Sequence, residues 1–320
     1  MIVRWGLDAL PAVLRELGIH GPLLVASERW ADRSIGVRPA ARWTEVPSDQ
    51  IAAAAEHAGD GIVAIGGGSA IDLGKAISAE AGVPLVSVPT TYAGAEWTPY
   101  FGIRDPYRKM KGGGAGAHLG GVVYAPQLTL SLPRAETVGT ALNGLAHCAE
   151  ALYVEGHNPE ADEHALSGAR LIGEWLPRVV EAPGDLDART KLLEGAIHAG
   201  AALGGSMLAL GHAMAQALGG RYGLPHGAMN ALCLPAALRF NAEVAPAAIR
   251  RFGEALGTDD PAGRVQELGR LGGFERLRDF DIPESELAEL AAATVERAGA
   301  KANPRRSTAA DVEQLLHNIY

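Results

Sequence analysis

The chain has 320 residues, 48% of them hydrophobic and 20% charged, which is long enough for two domains with sizeable cores. Its 28 basic and 37 acidic residues give a formal net charge of −9 with no basic cluster, which argues against a nucleic-acid partner. No run of about 18 apolar residues is present to span a membrane, and the opening MIVRWGLDALP lacks the basic-then-apolar order of a signal peptide.

The first 133 residues alternate helix-like stretches with short apolar runs. LDALPAVLRELG precedes Leu23–Ala26, SDQIAAAAEHAGD precedes Ile62–Ile65, and AIDLGKAISAEAG precedes Leu85–Val88. Val122–Tyr124 is a further short β-like run. Strands that alternate with helices predict a parallel sheet covered on both faces. The stretch KGGGAG (111–116) reads as a flexible loop beside a ligand. From Leu132 the pattern is helical, over 134–156, 160–182, 187–206, 208–220, 228–243, 246–256, 261–272, 284–298 and 308–319, with no strand. The expected division is therefore an α/β domain over 1–133 and an all-helical domain over 134–320. Cys148 and Cys233 lie in apolar helical surroundings without a CxxC spacing, as expected of reduced core cysteines in a cytoplasmic protein.

Gly66-Gly67-Gly68-Ser69 follows the run IVAI and opens a helix. Glycines let a ligand approach the backbone, and a helix start offers unpaired N–H groups and a positive dipole end suited to a pyrophosphate. Ser69 is a candidate N-cap, with Asp72 completing a variant capping box. A simple tight turn is the competing reading, and the spacing is not GxGxxG. Thr90 and Thr91 follow the run LVSV, where the carboxyl edge of an open α/β sheet takes ligands.

Four polar residues interrupt apolar helical stretches. Asn143 and His147 are four apart and share a helix face; His212 and His226 lie in GHAMAQALGGRYGLPHGAMNALCLP. Polar groups in an apolar interior need partners. Three histidines and an amide brought together would make either a metal site or a metal-free proton-transfer site.

The motifs GGGSAIDLGKA, PTTYAGAEWTPYFGI, YAPQLTLSLPRAETVGTALNGLAHCAEALY and GHAMAQALGGRYGLPHGAMNALCLPAALRFN, in that order, resemble the iron-containing alcohol dehydrogenase family, and most of all its maleylacetate reductase branch. The resemblance implies the architecture shared with dehydroquinate synthase: an N-terminal dinucleotide-binding α/β domain, an all-helical C-terminal domain and an active site in the cleft between. It implies hydride transfer between NADH or NADPH and a small carbonyl substrate, including a dicarboxylate such as maleylacetate, in a homodimer. By position, Gly67, Gly68 and Ser69 would hold the pyrophosphate, Thr90, Thr91 and Ala95 would line the cofactor, and Lys111 (or Lys109) would reach its ribose. Asn143, His147, His212 and His226 would form the catalytic group, with Arg221, Arg239 and Arg104 as candidates for a carboxylate clamp.

Three departures matter. Metal-dependent relatives use an Asp and three His, and here the Asp position is Asn143, which weakens the site for zinc or iron. His147, His212 and His226 would remain the ligands if a metal binds, since three imidazoles can hold zinc. Gln216 stands where relatives place a further histidine, and Gln carries no proton. Ser27 replaces the acid expected at the end of the first predicted strand, with Arg29 nearby, so NADPH is expected to serve at least as well as NADH. Metal-free reduction of the maleylacetate reductase type is the preferred reading. A three-histidine metal-dependent alcohol or aldehyde dehydrogenase, and a non-redox lyase, synthase or cofactor-binding relative, are the alternatives.

Overall fold

The computed structural model describes residues 1–320, the side chain of Ala31 excepted. The chain divides into two compact units, Met1–Thr91 with Ala95–Ser131, and Tyr92–Gly94 with Leu132–Tyr320.

The first unit contains β1 (Ile2–Trp5), α1 (Leu10–Glu16), β2 (Leu23–Ala26), α2 (Glu28–Ala31), β3 (Ala41–Trp43), α3 (Ile51–Ala55), β4 (Ile62–Gly66), α4 (Gly68–Ala81), β5 (Pro84–Pro89), β6 (Phe101–Arg104), β7 (Met110–Gly114) and β8 (His118–Tyr124). Six strands form a parallel sheet in the order β1-β8-β5-β4-β2-β3. Successive side chains point to opposite faces, so each strand feeds two cores. Leu24, Ala26, Val63, Ile65, Val86 and Val88 enter one core with Leu10 and Leu14 of α1. Leu23, Val25, Ile62, Ala64 and Leu85 enter the other with Leu73 and Ile77 of α4. Burial on both faces explains why these runs are apolar throughout rather than alternating. Each such Leu, Ile or Val gains about 1.5–3 kcal/mol from burial.

The sequence reading missed β1 and β3, which lie at the two edges of the sheet and are short. It also mistook KGGGAG for a loop. Lys111–Gly114 belongs to β7, which pairs antiparallel with β6. A Cβ at Gly113 would lie 2.9 Å from the Phe101 carbonyl oxygen, and one at Gly114 would lie 2.9 Å from the Phe101 ring. These glycines permit close packing of a hairpin.

The second unit is helical: α5 (Arg134–Ala151), α6 (Pro159–Glu181), α7 (Leu186–Gly204), α8 (Leu210–Tyr222), α9 (His226–Asn241), α10 (Pro246–Leu256), α11 (Pro261–Arg270), α12 (Leu287–Val295), α13 (Ala298–Lys301) and α14 (Ala309–Asn318). Leu210, Met214 and Leu218 of α8 share a core with Met229, Leu232 and Phe240 of α9, Leu287 and Leu290 of α12, and Leu315 and Leu316 of α14. Tyr92–Gly94 joins this unit because its groups are used there: Tyr92 N donates to Thr140 Oγ1 at 3.3 Å, and Arg189 donates to the Tyr92 hydroxyl at 3.0 Å. Cys148 and Cys233 are buried free thiols whose ionisation burial opposes. No helix among the described residues is long and apolar enough to cross a membrane.

Candidate active site

In the first unit, Gly66 pairs in register with Pro89, so the chain leaving β4 and the chain leaving β5 emerge side by side. That places Gly67, Gly68 and Ser69 beside Thr90 and Thr91. Thr90 N donates to Gly66 O at 2.9 Å. Gly66 has φ 152°, and a Cβ there would meet Ala70 Cβ at 2.7 Å. A Cβ on Gly67 would meet Thr91 Cγ2 at 2.9 Å, so both positions are glycine for packing. Gly68 differs, since nothing beyond its own turn of chain lies within 4 Å of where its Cβ would stand. The N-cap of α4 is Gly67, and no side chain caps it. The start of this 14-residue helix thus leaves first-turn N–H groups and the positive dipole end for an anion. A cofactor pyrophosphate fits that opening.

Two local expectations are corrected here. Ser69 is not the N-cap, because the cap falls two residues earlier, at Gly67, and the helix starts at Gly68. Asp72 closes no capping box: Oδ1 lies 3.0 Å from Lys75 Nζ, and Oδ2 accepts from Gly102 N at 3.3 Å. Lys75, unremarked in the sequence, is 1% exposed and donates to Ala95 O at 2.8 Å and Tyr100 O at 2.5 Å. It therefore fixes the turn that carries Ala95. Its signal was a lysine three residues after Asp72 on an apolar helix. Lys111 stands apart on exposed β7, paired with Asp105 at 3.1 Å. Arg29 donates to Ser131 O at 3.0 Å and to its hydroxyl, and lies 4.9 Å from the Trp30 ring centroid.

In the second unit, α5, α8 and α9 bring Asn143, His147, His212 and His226 together. His147 and His212 stack at 4.8 Å between ring centroids with 14° between planes, and His226 lies 5.8 Å from His212. Asn143 uses both ends of its amide: Nδ2 donates to Ala93 O at 3.2 Å, and Oδ1 accepts from Asn230 Nδ2 at 2.7 Å. Asn230 Nδ2 also lies 3.0 Å from His226 Nε2. Glu150, fully buried, receives His212 Nδ1 at 2.7 Å. Burial holds the His147 imidazole well below its usual range, and charge on His212 and His226 adds to the effect. Three buried polar atoms here have no hydrogen-bond partner: His147 Nδ1, His212 Nε2 and Asn230 Oδ1. Buried polar atoms are seldom left so, and three lie together in this cluster.

Asn230 and Glu150 were missed in the sequence. Asn230 is four residues after His226, and Glu150 is three after His147, each on an otherwise apolar helix. The three arginines considered for a carboxylate clamp are engaged elsewhere. Arg221 pairs with Glu286 and Glu289, Arg239 bonds Gln266, and Arg104 bonds Arg108 O.

Comparisons with known proteins identify the family. The model of the iron-containing alcohol dehydrogenase family matches residues 6–119, and that of the C-terminal part of the Fe-containing alcohol dehydrogenase family matches 137–320. The chain belongs to the iron-containing alcohol dehydrogenase family. It is 36% identical to a maleylacetate reductase from Burkholderia cepacia, over 99% of this chain and 95% of that one. The crystal structure of a maleylacetate reductase from Rhizobium sp. strain MTP-10005 superposes with a TM-score of 0.90 at 27% identity, covering 100% of this chain and 95% of that one. An iron-containing alcohol dehydrogenase from Corynebacterium glutamicum gives 0.88 at 31%, covering 100% and 94%. The protein is thus an NAD(P)-dependent oxidoreductase of this family.

The family name implies a metal, and the residues here do not fit one. Among the described residues no three His, Cys, Asp or Glu side chains are grouped to hold an ion. The fourth ligand position is an amide whose oxygen already accepts from Asn230.

Proposed function

We propose that this protein is a reductase of the maleylacetate reductase type, which uses NADPH or NADH to reduce a carbonyl or a conjugated keto acid without a metal. The observation that carries this reading is the trio of partnerless atoms, His147 Nδ1, His212 Nε2 and Asn230 Oδ1, in a cluster organised around the amide of Asn143. Gly68 and the uncapped start of α4 hold the cofactor's pyrophosphate, with Thr90, Thr91 and Ala95 along its path. A nicotinamide cofactor held there would supply the hydride for the reduction. His147, kept neutral by burial, offers N–H to the oxygen on which negative charge develops. The proton then reaches that oxygen from solvent through His212, which takes it up on Nε2 and releases it there, or from His226, a contribution worth on the order of 10²–10⁴ in rate. The protein acts in the cytoplasm as a homodimer.

The test is oxidation of NADPH and NADH by the purified protein with maleylacetate and with simple aldehydes, with and without chelator, alongside metal content. Chelator-insensitive oxidation with maleylacetate, at least as fast with NADPH, is the expected result. Stoichiometric zinc or iron with chelator-sensitive aldehyde reduction would overturn the reading in favour of a three-histidine metal site.

A further inference from the structure

Glu150 makes contacts that a core carboxylate does not need for packing. It lies on α5 one turn beyond His147 and is fully buried. Its Oε2 accepts from Ala209 N at 2.7 Å and lies 2.7 Å from His212 Nδ1, while Oε1 accepts from His212 N at 3.1 Å. Ala209 is the N-cap of α8 and has no side chain able to cap it. Glu150 therefore caps α8 from another helix, where negative charge is favoured. Room for the carboxylate comes from Gly211, where a Cβ would lie 2.8 Å from Oε1.

An ionised carboxylate only accepts hydrogen bonds. The contact with His212 Nδ1 thus requires a proton on that nitrogen, and in the neutral ring this leaves the lone pair on Nε2. Nε2 is one of the three partnerless atoms of the cluster. Stacking on His147 at 4.8 Å holds the ring plane from the other side. One carboxylate thereby fixes the backbone around His212, the orientation of its ring and its tautomer.

We propose that Glu150 is the positioning residue of the active site, holding His212 as the Nδ1–H tautomer with Nε2 presented to the substrate. The proposal rests on the reductase reading only for its kinetic consequence. The tautomer can be read without substrate.

Long-range ¹H–¹⁵N spectra of the ¹⁵N-labelled full-length protein, with His212 assigned by its loss in His212→Gln, are expected to show Nδ1–H in the wild type. Glu150→Gln keeps the shape of the side chain but can place an N–H against Nδ1, and is expected to shift His212 toward Nε2–H. On the substrate that the wild type reduces, its kcat should fall about 10²–10⁴-fold, while KM and the Kd for NADPH stay within about threefold. Glu150→Asp, which keeps the charge, should recover part of that loss. A wild-type His212 protonated on Nε2, or a Glu150→Gln enzyme with wild-type kcat, would overturn the proposal. Should Glu150→Gln fail to fold, the wild-type tautomer decides alone. If the wild type reduces none of the carbonyl compounds, the reductase reading fails while the tautomer still answers for Glu150.

Discussion

The two units prepare their sites in opposite ways. In the α/β unit the site is made by removing side chains: Gly66 and Gly67 let strand, helix and Thr91 close up, and Gly68 leaves an opening at the helix start. In the helical unit it is made by adding polar side chains to an apolar interior and bonding them to one another and to the backbone, with three atoms left without a partner. A backbone site tolerates change wherever space is left over. A side-chain network does not, because each partner removed strands another buried atom.

The largest effect should therefore come from Asn143→Asp, the substitution that restores the usual metal-ligand type. Asn143 is 6% exposed, and its amide nitrogen faces the Ala93 carbonyl. A carboxylate there would set oxygen against oxygen in a buried site. We expect a loss of about 3 kcal/mol or more in urea unfolding, with activity abolished and no gain in bound zinc or iron. A variant of wild-type stability that takes up one metal ion would show that the network is less committed than its geometry indicates.

The glycine loop should divide into two behaviours. Gly66→Ala forces a side chain onto φ 152° and into Ala70, and should cost about 1–3 kcal/mol of stability. Gly68→Ala meets nothing, so stability should stay within about 0.5 kcal/mol. Yet if the opening receives a pyrophosphate, the Kd for NADPH should rise about tenfold or more, a loss of about 1.4 kcal/mol. Fluorescence titration of NADPH against both variants separates the roles. Unchanged affinity in Gly68→Ala would remove this loop as the phosphate site.

What was legible follows the same division. The four central strands and the nine longer helices of the second unit showed in the sequence because burial on both faces makes a strand an unbroken apolar run and burial of one stripe gives a helix its period. Edge strands β1 and β3 and the β6–β7 hairpin did not, because three to five residues with little burial carry neither signal. Asn143, His147, His212 and His226 could be named individually, but their partners could not. Glu150 meets His212 across 62 residues of sequence, and Asn230 meets Asn143 across 87. The Ser69–Asp72 capping box failed because one glycine, Gly67, took the cap and left Asp72 for Lys75.

The smallest effect is a pair of opposed pH dependences. Burial holds His147 neutral, its pKa lying well below 6.5 in the folded chain. The unfolded chain then binds a proton that the native one refuses, so this stability is full above about pH 6.5 and lost as pH falls. Glu96, 2% exposed in the α/β unit, is shifted the other way: burial raises its carboxyl above 4.5, against the opposing hydrogen bond from the Tyr124 hydroxyl at 2.6 Å. There the native state keeps a proton that the unfolded one releases, so stability is full below about pH 4.5 and lost as pH rises through the folded value. Each limb can slope by at most about 1.4 kcal/mol per pH unit. Urea midpoints between pH 4 and 8 should show His147→Gln flattening the acid limb and Glu96→Gln the opposite one. An acid limb unchanged in His147→Gln would mean that water reaches this histidine, and the contrast between a closed polar network and an open backbone loop would then be wrong at its centre.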